Sequence, residues 1–226
     1  MKETNRFSKT IENASYKLIL LQKLTQLAEM GCIFHPSELL YINDATNESV
    51  RQQRANAYSL LKFDPSHWVD HAKDGVPILM MDTIPSDFSI SISHKENSVA
   101  AAISLDSTKK IGIDLEILNT GRDLNFLKGR VIDQQECSYL KNISDMYELS
   151  TNDALLFFWV LKEAAYKALD GKTGIDSFKI SVVHQEIKLT CVSTGIIFFT
   201  EIIKSDEHLI AVVMVDRNEL IRTVST

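Results

Sequence analysis

The chain is poor in residues that punctuate or staple a fold: eight glycines, four prolines and three cysteines among 226 residues. So few glycines and prolines exclude collagen-like and linker-rich architectures. Cys32, Cys137 and Cys191 lie far apart with no paired spacing. That excludes a disulfide framework and a zinc knuckle, and it suits a reducing cytoplasm. Long apolar runs are also lacking. The longest, Ala154 to Leu161, has eight residues, where a membrane span needs about 20. The start of the chain is polar, and the apolar patch at Leu18–Leu21 is too short for a secretory core. Nor is there basic excess: Lys and Arg total 24 against 30 Asp and Glu, a net charge of −6. An acidic chain is a poor partner for duplex nucleic acid.

What remains is 45% hydrophobic and 24% charged, the composition of a cytoplasmic globular protein of one substantial domain or two small lobes. Leu18, Leu21, Leu24, Leu27 and Ala28 predict a helix over 15–30, closed by Gly31. A second helix is predicted over 49–63, stopped by Asp64-Pro65. Asp74-Gly75-Val76-Pro77 reads as a turn. Alternating, β-branched stretches predict strands over 88–93, 99–105 and 111–116. A helical region over 123–140 and the strongest helix, 153–169, follow. Strands are then predicted over 178–183, 187–192, 196–204 and 209–215. Each half therefore reads helix first, strands after. Ser93-His94 before Val99–Ile103 is weakly echoed by Ser205–His208 before Leu209–Val213. The pattern is α+β, two similar lobes forming a pseudo-duplicated pair, divided as 1–106 and 107–226.

Three segments can carry chemistry. In Ile111-Gly112-Ile113-Asp114-Leu115-Glu116, strand alternation sends Asp114 and Glu116 to one face. Two carboxylates so placed repel unless a cation sits between them, and oxygen ligands suit Mg²⁺; the plain alternative is a solvated acidic face. On the strongest helix, Trp159, Glu163 and Lys167 fall on one stripe, i, i+4, i+8. Glu163 and Lys167 in that order also make an ordinary surface ion pair. The apolar turn before them argues for a deeply packed helix, where charges are paired or functional. Ser93 and His94 at a strand end face apart, so they fit phosphate contact, or a polar strand end, better than a nucleophile–base relay. Other patterns carry less. Gly171-Lys172-Thr173 lacks the earlier glycine of a phosphate loop, and His67 and His71 lack the glutamate of a zinc protease motif. Arg51 and Arg54 can be a solvated helix face.

In this order the segments resemble the 4′-phosphopantetheinyl transferases, in particular their single-chain, two-lobed, surfactin-synthetase-activating type. The resemblance rests on Gly112-Ile113-Asp114-Leu115-Glu116, followed by Trp159-Val160-Leu161-Lys162-Glu163-Ala164-Ala165-Tyr166-Lys167. Ile92-Ser93-His94, Gly75-Val76-Pro77, the Arg130–Glu136 stretch and Asp170–Gly174 add to it. It covers about residues 48–215; the first 45 residues are not placed by it. Val76 stands where the family has lysine, and Val131 where it has an aromatic.

The resemblance implies an enzyme of the holo-[acyl-carrier-protein] synthase type, with its site in the cleft between lobes. It would move phosphopantetheine from coenzyme A to a serine of an acyl or peptidyl carrier protein, releasing adenosine 3′,5′-bisphosphate. Asp114, Glu116 and Glu163 would hold Mg²⁺. Glu163 would take the serine proton, directly or through a water. Lys167 would stabilise pyrophosphate charge and depress the pKa of Glu163. Arg51, Gly75, Pro77, Ser93, His94, Asp114, Lys162 and Lys167 would contact coenzyme A, with Arg51 preferred over Arg54 for the 3′-phosphate. No nucleic acid or membrane is implied, and one chain would act as a monomer. The alternative is a degenerate relative that binds coenzyme A or a carrier without transfer.

Overall fold

The computed structural model describes residues 8–12, 16–21, 34–61 and 66–224. The chain divides into two compact units, Met1–Ser107 and Thr108–Thr226. The fold is mixed α+β, with helices beside antiparallel sheets, as the sequence pattern predicts. Among the described residues no helix is long and apolar enough to cross a membrane.

In the first unit, strands β1 (Ser8–Glu12) and β2 (Tyr16–Leu21) form a hairpin. Helices α1 (Pro36–Asn43) and α2 (Glu48–Leu60) follow, then β3 (His67–His71), β4 (Pro77–Met81) and β5 (Ile84–Pro85). Strands β6 (Ile90–Lys95) and β7 (Ser98–Ser104) complete a sheet in the order β1-β2-β7-β6, while β3-β4-β5 form a second. The helix predicted over 15–30 is therefore overturned where it can be seen. Tyr16–Leu21 pairs antiparallel with Val99–Ser104 of β7, and ladder bonds to an apolar strand override a helical spacing of leucines. Its remainder, like Cys32 and the Asp64-Pro65 stop, lies outside the described residues.

Both helices of this unit start where their caps dictate. Asn47 accepts from the Val50 amide at α2. At α1, His35 and Glu38 form a reciprocal capping box, with Pro36 in the first turn. Glu38 is fully buried because its second oxygen accepts from the Val69 amide, tying α1 to β3. The small core collects Ile42, Ala55, Tyr58, Leu61, Val69 and Leu79 with the apolar face of β7.

The second unit opens on a strand, β8 (Lys109–Ile117), so the expected helix-first order fails in both halves. The region predicted as helical over 123–140 holds only a 3₁₀ turn at Asn125–Leu127 and helix α3 (Gln134–Cys137) before α4 (Leu140–Tyr147). Gly129 interrupts it at φ +76, a left-handed conformation that ends a helix. Helix α5 (Thr151–Ala168) begins at a Ser150 cap that accepts from the Asp153 amide. Strands β9 (Phe178–Val183), β10 (Glu186–Cys191), β11 (Ile197–Lys204) and β12 (His208–Asp216) precede α6 (Arg217–Val224). The sheet runs β8-β12-β11-β10-β9, antiparallel throughout. Helix α5 is apolar almost all round because it is buried almost all round: Leu155, Phe157, Phe158, Leu161, Ala164 and Ala168 lie in one cluster with Leu209, Ala211 and Val213 of β12.

Candidate active site

The acidic strand and the long helix meet at Gly112. A Cβ built there would lie 1.9 Å from the Ala164 carbonyl oxygen and 2.5 Å from the Ala168 amide nitrogen. Backbone therefore packs on backbone, and no side chain could be inserted without pushing α5 off the strand. Strand alternation places Gly112, Asp114 and Glu116 on this same face. Asp114 pairs across the ladder with Ala211, whose short side chain leaves room beside it.

The helix supplies the opposing groups. Among residues 153–169, the half-buried positions are Trp159, Glu163, Tyr166 and Lys167. The i, i+4, i+8 stripe is thus the open edge of an otherwise buried helix. Lys167 Nζ donates to Asp114 Oδ1 at 2.7 Å, so its cation reaches across to the strand. Asp114 and Glu116 are both buried, and Glu116 Oε2 accepts from Arg122 Nη2 at 3.3 Å.

Burial pushes the Glu163 carboxyl above its usual range, Asp114 and then Glu116 adding to the rise. Lys167 opposes this without reversing it. Lys167 thus acts in the expected direction, but burial and the two strand carboxylates outweigh it. An ammonium hydrogen-bonded to Asp114 is a weaker counterweight to desolvation of a different carboxylate.

Lys162 departs from the role in ligand binding set for it. It is fully buried, donating to the Val131 carbonyl at 2.6 Å and to Glu136 Oε2 at 2.7 Å. Burial lowers its pKa, with the Glu136 carboxylate opposing. Glu136 in turn accepts from the Ile180 and Asp133 amides, at 2.8 and 3.0 Å. The pair fastens α3 to α5 and β9, and its lysine is committed there.

In the first unit, Arg51 pairs with Glu48 at 3.1 Å, and its buried Nε has no hydrogen-bond partner among the described residues. Arg54 is engaged: it donates to the Tyr41 carbonyl and lies 4.1 Å over the Tyr41 ring. Gly75, at φ +85, turns β3 into β4, and Pro77 begins β4. Ser93 is buried and His94 exposed near the end of β6. Gln53 of α2 donates to the Glu96 carbonyl just beyond, joining the helix of Arg51 to that strand end. His67 and His71 bound a strand, not a helical turn.

Oxygen donors of this kind suit a hard divalent cation. Mg²⁺ needs only one or two carboxylates, with water and substrate phosphates filling its shell. Asp114 and Glu116 both act electrostatically on the Glu163 carboxyl, and the chemistry of these three donors fits that ion. Among the described residues, however, no three His, Cys, Asp or Glu side chains converge closely enough to form a ready-made cage.

Comparison with known proteins bears on this unit. Residues 110–213 match the family model described as the 4′-phosphopantetheinyl transferase superfamily, and the acidic strand, α5 and most of the sheet lie in that matched segment. The chain is also similar to the 4′-phosphopantetheinyl transferase HetI of Nostoc sp., 30% identical over 119 residues, 52% of this chain and 48% of that protein. The chain thus spans about half the length of the curated relative it matches.

Sequence reasoning missed Arg122 and Asn152. Asn152 Oδ1 accepts from the Leu124 amide at 3.0 Å, and its Nδ2 donates to the Arg122 carbonyl at 2.5 Å. No local signal marks an arginine in a polar loop as the partner of a carboxylate six residues back.

Proposed function

We propose that the protein is a Mg²⁺-dependent phosphopantetheinyl transferase of the two-lobed, surfactin-synthetase-activating type. It would take coenzyme A and an acyl or peptidyl carrier protein as substrates, acting as a monomer in the cytoplasm. The reading is supported by one observation: within the segment that matches the superfamily, Gly112 lets α5 lie on β8, so Lys167 bonds Asp114 while Asp114 and Glu116 act electrostatically on Glu163.

The reaction transfers a phosphoryl centre from one oxygen to another. The carrier serine oxygen bonds to the phosphorus that bears pantetheine, the bond to the departing adenosine 3′,5′-bisphosphate breaks, and the serine proton is released. Such reactions depend on positioning and on neutralising charge at phosphate oxygens. Mg²⁺, held by Asp114, Glu116 and Glu163, would supply that neutralisation. Glu163 takes the serine proton, directly or through a water. Lys167 stands at the pyrophosphate, one hydrogen bond from Asp114. Lys162 holds the helix that carries both. Arg51 is assigned to the 3′-phosphate, since its Nε has no partner among the described residues where Arg54 is engaged. Ser93 and His94 are assigned to phosphate, and the Gly75–Pro77 turn to the nucleotide end.

Intact-protein mass spectrometry tests the reading. Apo carrier proteins incubated with this protein, coenzyme A and Mg²⁺ should gain one phosphopantetheine mass, and Glu163→Gln or chelator should abolish the gain. If no carrier gains mass while coenzyme A still binds, the transfer reading is wrong and a binding protein takes its place.

A further inference from the structure

Each carboxylate of the acidic strand is held by its own cation. Lys167 reaches Asp114 from α5, and Arg122 reaches Glu116 from the loop after β8. Arg122 is not a loose surface arginine. Asn152 grips the main chain just after it, on either side of Asp123, through the Arg122 carbonyl and the Leu124 amide. Asp153 accepts from the Asn119 amide at 3.2 Å, and Thr120 Oγ1 accepts from Arg122 Nε at 3.0 Å. The first turn of α5 thus sets Arg122 over Glu116, while the last turns of the same helix carry Glu163 and Lys167. Its backbone is anchored, and its side chain remains 44% accessible.

We propose that Arg122 is a built-in counter-ion that makes divalent-cation binding depend on the anionic diphosphate co-substrate. The inference rests on the transferase reading above and adds a residue to it. With all groups ionised, three carboxylates and two cations leave one negative charge. A divalent cation arriving alone competes with Arg122 for Glu116 and, with the guanidinium still beside the cluster, leaves it net positive. A cation arriving with a diphosphate restores the balance, and the released guanidinium finds phosphate oxygens, which its planar fork fits. Each ligand therefore strengthens binding of the other, and the coupling is reciprocal.

The test uses the intact protein with Mn²⁺ as the probe, free Mn²⁺ being read by electron paramagnetic resonance, with and without saturating coenzyme A. The parent protein binds Mn²⁺ more tightly when coenzyme A is present. Arg122→Gln binds Mn²⁺ alone roughly threefold more tightly, the scale of a partly exposed ion pair removed as competitor. Its gain on adding coenzyme A shrinks roughly tenfold, because the guanidinium is also lost from the phosphate. Asn152→Ala, which keeps the charge but frees its anchor, gives a smaller change of the same sign, and thermal melts of both variants confirm the fold. If Arg122→Gln leaves both Mn²⁺ affinities unchanged while the parent shows coupling, the role of Arg122 is wrong and the transferase reading stands. A parent that binds Mn²⁺ with no coupling to coenzyme A also overturns the counter-ion role alone. No Mn²⁺ binding in the parent under either condition overturns both.

Discussion

The two units hold their candidate residues in different ways. In the second unit the ionisable groups sit within regular elements, on a strand and a helix whose backbones touch at Gly112. In the first they sit at a helix surface, a hairpin turn and a strand end, over a smaller core braced by stacked rings. His71 stacks on Tyr41 with centroids 3.8 Å apart, and His35 stacks on Trp68 at the same distance. Backbone-locked elements fix side chains to within the play of a packed interior. Turns and strand ends leave more freedom, which suits contacts to the outer parts of a ligand rather than to its reacting atoms.

The sharpest way to break this contrast is to add one methyl group to each unit. Gly112→Ala should cost about 4 kcal/mol, because the new Cβ meets backbone that cannot step aside. Gly75→Ala meets open space and strains only its left-handed φ, costing about 1 kcal/mol. Urea denaturation of the two variants should show midpoints separated accordingly; equal losses would refute the close approach of α5 to β8.

The buried pair comes next. Lys162→Met should destabilise the protein by about 3 kcal/mol by leaving Glu136 charged and unpaired, and Lys162→Met with Glu136→Leu should recover much of that loss. A purely ligand-binding Lys162 would instead leave the denaturation midpoint unmoved.

A third experiment sharpens the first unit. Burial holds the His71 pKa below 6.5, with Arg54 acting the same way and Asp70 opposing. A folded-state pKa below the unfolded value means His71 contributes stability that is present above pH 6.5 and lost as pH falls through the lowered value. Thermal melts from pH 7.5 down to 5 should show that decline, and His71→Gln should flatten it. The smallest expected effect on stability is at Arg51, whose pair with Glu48 is exposed: Arg51→Ala should change stability by no more than about 0.5 kcal/mol. Coenzyme A affinity, measured by calorimetry, should nonetheless fall roughly tenfold, the loss of a charge-assisted hydrogen bond.

Much of the second unit was legible in the sequence. Strands at 178–183, 187–192, 196–204 and 209–215 emerge within a residue or two, because their alternation and β-branched content act locally. Helix α5, predicted over 153–169 from its apolar run, also emerges within two residues, at Thr151–Ala168. The failures are non-local. Tyr16–Leu21 became a strand because β7 was there to pair with it, and 123–140 stayed mostly irregular around Gly129 and the Lys162–Glu136 tether.

By itself the sequence determined which residues could share a face. A two-residue period aligns Gly112, Asp114 and Glu116, and a four-residue step aligns Trp159, Glu163 and Lys167. Tertiary structure alone decided that these two faces meet, that Lys162 turns inward, and that Arg122 covers Glu116. It also decided the sign of the Glu163 shift. Periodicity is a property of neighbouring residues. Burial, and the partner a charge finds, depend on what the rest of the chain brings alongside.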